Sequence, residues 1–146
     1  MQRVRPLLVT ASDYPTEEIP LELINEWIMD LRGMPYHFSR KWKTLAEVNT
    51  AKAGDCKGKA VALYQLMQMN GATGLRLIIG KRRAGDKDSH VWLEWAASEG
   101  TYLLDPTFNW FAARTETLHS TRYVPLYAFA GEFKYRAVKM TLVSLN

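Results

Sequence analysis

The sequence predicts an α+β fold in which helices from the first half of the chain pack on an antiparallel β-sheet from the second half. The first half contains an amphipathic helix pattern, with apolar residues at helical spacing at Leu21, Ile24, Ile28 and Leu31. It also contains an unbroken run of helix-forming residues from 60 to 69. The second half contains short alternating or aromatic segments separated by turns, which is typical of strands. A chain of 146 residues is long enough for one hydrophobic core, so residues 1–146 are predicted to form a single domain.

The composition is that of a globular protein, with 47% hydrophobic and 23% charged residues. The net charge is +4 and the longest basic run is Lys81-Arg82-Arg83, which is smaller than a nucleic-acid footprint, so no nucleic-acid partner is expected. No segment is long enough to span a membrane, and the apolar run near the N-terminus is broken by Pro6 and makes a poor signal peptide. The cytoplasm is the expected location, with a periplasmic or exported location as the alternative if the N-terminus has been shortened. No sequence feature specifies an oligomeric state.

Local signals set the expected bounds of three helices. Thr16 is the expected start of the first helix and Gly33 its end. The pattern Thr44-Leu45-Ala46-Glu47 is a capping box that begins a short second helix. Asp55 is the expected N-cap of the third helix, and Asn70-Gly71 is its stop signal.

Five segments have the composition of strands, at 73–81, 88–95, 101–105, 123–130 and 133–143. The turn Ser98-Glu99-Gly100 can join the second and third of these into an antiparallel hairpin. Residues 112–122 are polar and are predicted to form a loop.

Three residues suggest cysteine-dependent chemistry. Cys56, the only cysteine, lies in the first turn of the third helix, where unpaired N–H groups and the helix dipole favour a thiolate. His90 begins one predicted strand and Asp105 ends the next, so a hairpin would set them side by side. A thiol, an imidazole and a carboxylate are the nucleophile, base and orienting group of acyl transfer. Asp86 or Asp88 are alternative orienting groups, and a buried unreactive thiol is the alternative for Cys56.

Acyl transfer also requires hydrogen-bond donors for the developing oxyanion. The backbone N–H of Cys56 is the first candidate, and Asn49, Thr50 and the Trp42 indole are candidates for the second. The residues expected near a substrate cleft are Gly54, Asp55, Trp92 and Trp110.

These motifs together resemble a known group of enzymes. The features are Gly54-Asp55-Cys56 with Ala60 at a helix start, His90 at the head of a strand, and Leu104-Asp105-Pro106 at the end of the next. In this order they resemble the transglutaminase-like superfamily, and most closely the bacterial transglutaminase-like cysteine proteinases, over roughly Trp42 to Trp110. The resemblance implies a papain-like/transglutaminase-like core, a Cys–His–Asp triad and a protein or peptide substrate.

One departure from that resemblance concerns calcium. The calcium-dependent proteinases of this type follow the cysteine with acidic residues, whereas this chain has Lys57 and Gly58 there. We therefore expect no metal and no other cofactor. The expected reaction is hydrolysis of a peptide or amide bond. The alternatives are a transamidase or acyltransferase with the same triad, and a non-catalytic binding module on the same fold.

Overall fold

The computed structural model describes residues 18–117, 123–131 and 133–136. Three helices precede the sheet, namely α1 (Leu21–Gly33), α2 (Leu45–Ala51) and α3 (Cys56–Met69). The strands are β1 (Leu75–Lys81), β2 (His90–Ala97), β3 (Gly100–Leu104), β4 (Ala113–Arg114), β5 (Val124–Ala130) and β6 (Phe133–Arg136). They form a six-stranded sheet in the order β4-β3-β2-β1-β5-β6, and each neighbouring pair is antiparallel. The predicted α+β architecture is confirmed.

The start of α1 differs from the prediction. The helix begins at Leu21 rather than near Thr16, which lies outside the described residues. Pro20 is the residue before the helix and has an extended backbone, and a proline disfavours helical geometry in the residue that precedes it. Pro20 therefore determines where α1 begins, although Thr16-Glu17-Glu18 has the sequence of a helix start.

The starts of α2 and α3 follow the local signals. The Thr44–Glu47 capping box is present in full at α2, and the Asp55 side chain caps α3 by accepting a hydrogen bond from the Gly58 N–H. These caps satisfy N–H groups that have no partner inside a helix. Within the described ranges, no helix has the length and apolar character needed to cross a bilayer.

The two faces of the sheet carry different cores. The helices cover one face, where the buried strand residues include Leu77, Val91 and Leu93. A smaller cluster of Ile78, Trp92 and Leu103 is buried on the other face. Because side chains alternate along a strand, the second face is also the one that carries His90.

Strand pairing places the site residues at one end of the sheet. β2 and β3 form the predicted hairpin, with Leu93 opposite Leu104, so Asp105 directly follows the paired part of β3. Part of the predicted loop 112–122 forms β4 and a single 3-10 turn at Thr115–Thr117, because β4 pairs with β3. The predicted last strand is present as β6, and residues 137–143 lie outside the described part of the chain.

β5 joins the sheet beside β1 through an irregularity between Ile79 and Gly80. A Cβ at Gly80 would lie 2.1 Å from the Val124 carbonyl oxygen and 2.8 Å from the Trp92 ring. Only glycine allows these backbones to come so close. This close approach brings the start of β5, and with it Tyr123, next to the start of β2, where His90 and Trp92 lie.

Candidate active site

Cys56 lies at the junction between the helices and the sheet. It is the first residue of α3, it is a free thiol, and it is 7% exposed. Its backbone N–H belongs to the first turn of the helix and has no partner within the helix. The thiol therefore lies beside a backbone donor that a substrate oxygen can use.

His90 and Asp105 form a buried pair. The distance from His90 Nε2 to Asp105 Oδ2 is 2.8 Å, and their side chains are 7% and 0% exposed. The same Asp105 oxygen accepts a hydrogen bond from the Tyr123 hydroxyl at 2.5 Å. Its other oxygen accepts from the backbone N–H groups of Thr107 and Phe108 at 3.0 and 3.2 Å. The orientation of the Asp105 carboxylate is set by four donors.

The environment favours a charged Asp105. Burial opposes the carboxylate, but the hydrogen bond and charge of His90, followed by the bonds from Tyr123 and Thr107, outweigh it and lower the pKa of Asp105. Burial, and then the Asp105 charge, raise the pKa of Tyr123, so its hydroxyl keeps the proton that it donates.

His90 links this carboxylate to the thiol. Burial works against an imidazolium, but hydrogen-bonding interactions with Asp105 and then with Cys56, together with the charges of both, raise the pKa of His90 to about 9. Because Nε2 is bonded to Asp105, Nδ1 is the ring nitrogen that remains for Cys56. The ring stacks on Trp92 at 5.9 Å between centroids and meets the edge of Phe108 at 5.0 Å. These contacts restrict rotation of the imidazole.

Three residues predicted near a substrate cleft differ in their exposure. Trp92 is 1% exposed and packs under His90, so it supports the imidazole and does not line an open cleft. Asp55 is 2% exposed and caps α3, so it too is a structural residue. Trp110 is 48% exposed, with the Arg32 guanidinium 4.5 Å from its ring centre.

The candidates for the second oxyanion donor lie in α2 or shortly before it. Asn49 is an exposed residue of α2, as is Thr50, whose hydroxyl donates to the Ala46 carbonyl. Trp42 is 38% exposed and precedes that helix. Gly54 is buried and exchanges backbone hydrogen bonds with the loop that follows α1.

Two tyrosines of the site did not follow from the sequence. Tyr123 contacts Asp105, and Tyr36, in the loop after α1, interacts with both the side chain and the backbone of Cys56. Neither tyrosine belongs to a local motif. Their positions depend on contacts between segments that are far apart in the sequence.

Comparison with known proteins finds similarity in structure. No protein-family model matches the chain, and no curated protein matches it by sequence. The calcium-bound form of LapG from Legionella pneumophila has a TM-score of 0.69 with 16% identity, covering 84% of this chain and 72% of LapG. The EGTA-treated form gives a TM-score of 0.70 with 17% identity, covering 86% and 72%. A candidate cysteine protease from Cytophaga hutchinsonii gives a TM-score of 0.54 with 14% identity, covering 75% of this chain and 35% of that one.

Similarity at this level of identity concerns the fold. The likeness to LapG extends over most of both chains and includes the helices and the antiparallel sheet on which they pack. The structure and these comparisons together show that the chain has the papain-like, transglutaminase-like fold.

Proposed function

We propose that the protein is a cysteine-dependent hydrolase of peptide or amide bonds, with Cys56 as nucleophile, His90 as proton carrier and Asp105 as orienting group. The observation that carries the proposal is the buried His90–Asp105 pair at 2.8 Å, with the second imidazole nitrogen left for the thiol. This order of thiol, imidazole and carboxylate is the arrangement that nucleophilic acyl transfer requires. The description of the structurally similar Cytophaga hutchinsonii protein as a candidate cysteine protease supports the same class.

The proposed reaction begins with the Cys56 thiolate and the His90 imidazolium. Attack of the sulfur on the substrate carbonyl forms a C–S bond and places the negative charge on the carbonyl oxygen. When the oxyanion collapses, the C–N bond breaks and His90 gives its proton to the leaving amine. A water molecule then attacks the thioester, His90 takes its proton, and the thiolate leaves. Asp105 stabilises the imidazolium and holds its tautomer throughout.

A protein or peptide substrate fits the surroundings of the pair. Phe108, 43% exposed, lies against His90, and Tyr36, 58% exposed, lies beside Cys56. Exposed aromatic rings beside the nucleophile and beside its imidazole partner offer apolar contact to a peptide chain. An amine in place of water as acceptor would make the same site a transamidase.

The residues beside Cys56 do not fit a calcium ion. Asp55 Oδ2 accepts from the Lys57 ammonium at 2.7 Å and from the Ser39 N–H at 2.9 Å, while Oδ1 accepts from the Gly58 N–H at 3.0 Å. Calcium needs several free oxygen ligands, and the described ranges contain no group of three or more His, Cys, Asp or Glu side chains placed to hold a metal. Because Lys57 supplies the positive charge at Asp55, we propose that the site works without calcium.

The proposed triad is tested by the rate of Cys56 alkylation with iodoacetamide as a function of pH. The chain has one cysteine, so the reaction reports on Cys56 alone. The wild-type protein should react well below pH 7, and His90→Ala should move the profile toward that of a free thiol, near pH ~8.5. His37→Ala is the matched control, because His37 is exposed and its backbone N–H bond to Gly54 survives the change.

Two results would contradict the proposal. If His90→Ala and His37→Ala leave the same profile as the wild type, the thiol has no imidazole partner and the chain is better described as a binding module. If EGTA lowers the wild-type alkylation rate at pH 6, and added calcium restores it, the proposal of calcium independence fails.

A further inference from the structure

The loop between α1 and α2 is hydrogen-bonded to the segment around the start of α3. Four hydrogen bonds join the loop backbone to the segment around the start of the cysteine helix. Two of them connect the loop with Gly54, from the Gly54 N–H to the Pro35 carbonyl (3.1 Å) and from the His37 N–H to the Gly54 carbonyl (3.2 Å). The other two run from Lys59 Nζ to the Met34 carbonyl (2.7 Å) and from the Ser39 N–H to Asp55 Oδ2 (2.9 Å). Lys59 is 2% exposed, so one of these bonds lies inside the protein. The loop is therefore held in place beside the nucleophile.

Tyr36 is the residue that these bonds position. Its two neighbours, Pro35 and His37, both bond to Gly54, which lies two residues before Cys56. The Tyr36 hydroxyl interacts with the Cys56 backbone N–H, as an acceptor, and with the Cys56 side chain. An oxygen that accepts from this N–H occupies the place that the substrate carbonyl oxygen needs in the tetrahedral intermediate.

We propose that Tyr36 is the second oxyanion donor of the site, a role that rests on the proposed acyl-transfer function. In the resting site the hydroxyl interacts with both the backbone N–H and the side chain of Cys56. As the sulfur bonds to the carbonyl carbon, the sulfur loses its negative charge and the carbonyl oxygen gains it. The O–H then turns from the sulfur to that oxygen. No covalent bond of Tyr36 changes, and its proton stays on the phenol.

The surroundings of Tyr36 suit a donor. Partial burial, and then the neighbouring acidic groups of Cys56 and Asp55, raise the pKa of Tyr36, so the phenol remains protonated at neutral pH. The residue is 58% exposed, which leaves its side chain room to move when a substrate enters. Trp42 and Asn49, two of the candidates from the sequence, compete for the same role and are included in the test.

The test compares two reactions of the same thiol. Acylation by p-nitrophenyl acetate passes through an oxyanion, whereas alkylation by iodoacetamide displaces iodide and forms none. Tyr36→Phe should lower the single-turnover rate of p-nitrophenolate release about 100-fold, and should leave the alkylation rate within about threefold, since only the first reaction needs the donor. Cys56→Ala gives the background release from other groups. Tyr102→Phe, which removes a hydroxyl from a ring stacked on Trp95, is the matched control.

Three outcomes would overturn the assignment. The first is acylation of Tyr36→Phe at the wild-type rate or faster, which would make the hydroxyl a blocking group. The second is an equal fall in both rates, which would mean that Tyr36 only places the thiol. The third is the selective loss of acylation in Trp42→Phe or Asn49→Ala instead. Failure of the proposed triad is a separate result, because it shows in the wild-type alkylation profile and its dependence on His90.

Discussion

Asp55 and Asp105 are two buried carboxylates of the candidate site, and they differ in their partners. Asp55 is 2% exposed and Asp105 is 0% exposed, and the pKa of each is lowered. At Asp55 burial opposes the charge, but the hydrogen bonds from Lys57, Gly58 N–H and Ser39 N–H outweigh it. By burial and pKa alone the two residues look alike.

The difference lies in their partners. Asp55 bonds to two backbone N–H groups and to an ammonium, which hold the start of α3 and the loop beside it. Asp105 bonds to an imidazole whose other nitrogen is left for a thiol. A buried carboxylate with a low pKa therefore does not by itself indicate catalysis, and the imidazole partner that also faces a thiol is what makes Asp105 the catalytic candidate of the two.

The largest expected effect separates the two aspartates by activity. In Asp105→Asn the amide oxygen can still accept from Thr107 and Phe108, but the amide nitrogen faces Nε2 as a donor. His90 must then carry its proton on Nδ1, toward Cys56, where it cannot act as a base. We expect acylation by p-nitrophenyl acetate to fall about 10³-fold or more, with the folded structure retained by circular dichroism. A rate within threefold of the wild type would remove Asp105 from the triad.

Substitution of Asp55 should instead affect the stability of the protein. In Asp55→Asn the amide keeps one acceptor oxygen while three donors remain, so we expect a loss of about 2 kcal/mol in the free energy of unfolding, measured with urea at pH 7. Acylation should stay within about threefold of the wild type. A loss of acylation as large as that of Asp105→Asn would show that both carboxylates serve the reaction.

The pH dependence of that stability difference has a definite sign. A carboxylate whose pKa is lower in the folded state stabilises the protein above its unfolded pKa of ~3.9, and this contribution is lost as the pH falls through the folded value. The advantage of the wild type over Asp55→Asn should therefore be constant from pH 7 to about 5 and shrink below pH 4. A difference that is independent of pH down to 3 would mean that the charge of Asp55 contributes nothing.

The smallest effect is expected at the hydroxyl behind Asp105. Tyr123→Phe removes one of four donors to the carboxylate and keeps the ring edge against Trp92 at 4.9 Å. Loss of one such bond is worth about 1 kcal/mol, so acylation should fall about fivefold. In the Asp105→Asn background the same change should have no further effect, because the hydroxyl acts through that carboxylate. Additive losses would place the role of Tyr123 elsewhere.

The parts of the site that local rules predict are the three positions of the proposed triad. The α3 N-cap, the start of β2 and the hairpin turn are each signalled by neighbouring residues, and they place Cys56, His90 and Asp105 at element ends. The predicted start of α1 at Thr16 was wrong because Pro20 determines where the helix begins. β4 was missed because a two-residue strand exists only through its pairing with β3.

The sequence by itself determined the order of the three helices and the five longer strands and the positions of the thiol, the imidazole and the carboxylate, because caps, periodicity and turns act over a few residues. Only the tertiary structure decided which imidazole nitrogen faces Asp105, and that Asp55 and Trp92 are buried supports. It also brought Tyr36 and Tyr123 to the site. These features depend on segments many residues apart, such as Tyr123 and Asp105 across the sheet, and such contacts exist only once the chain has packed.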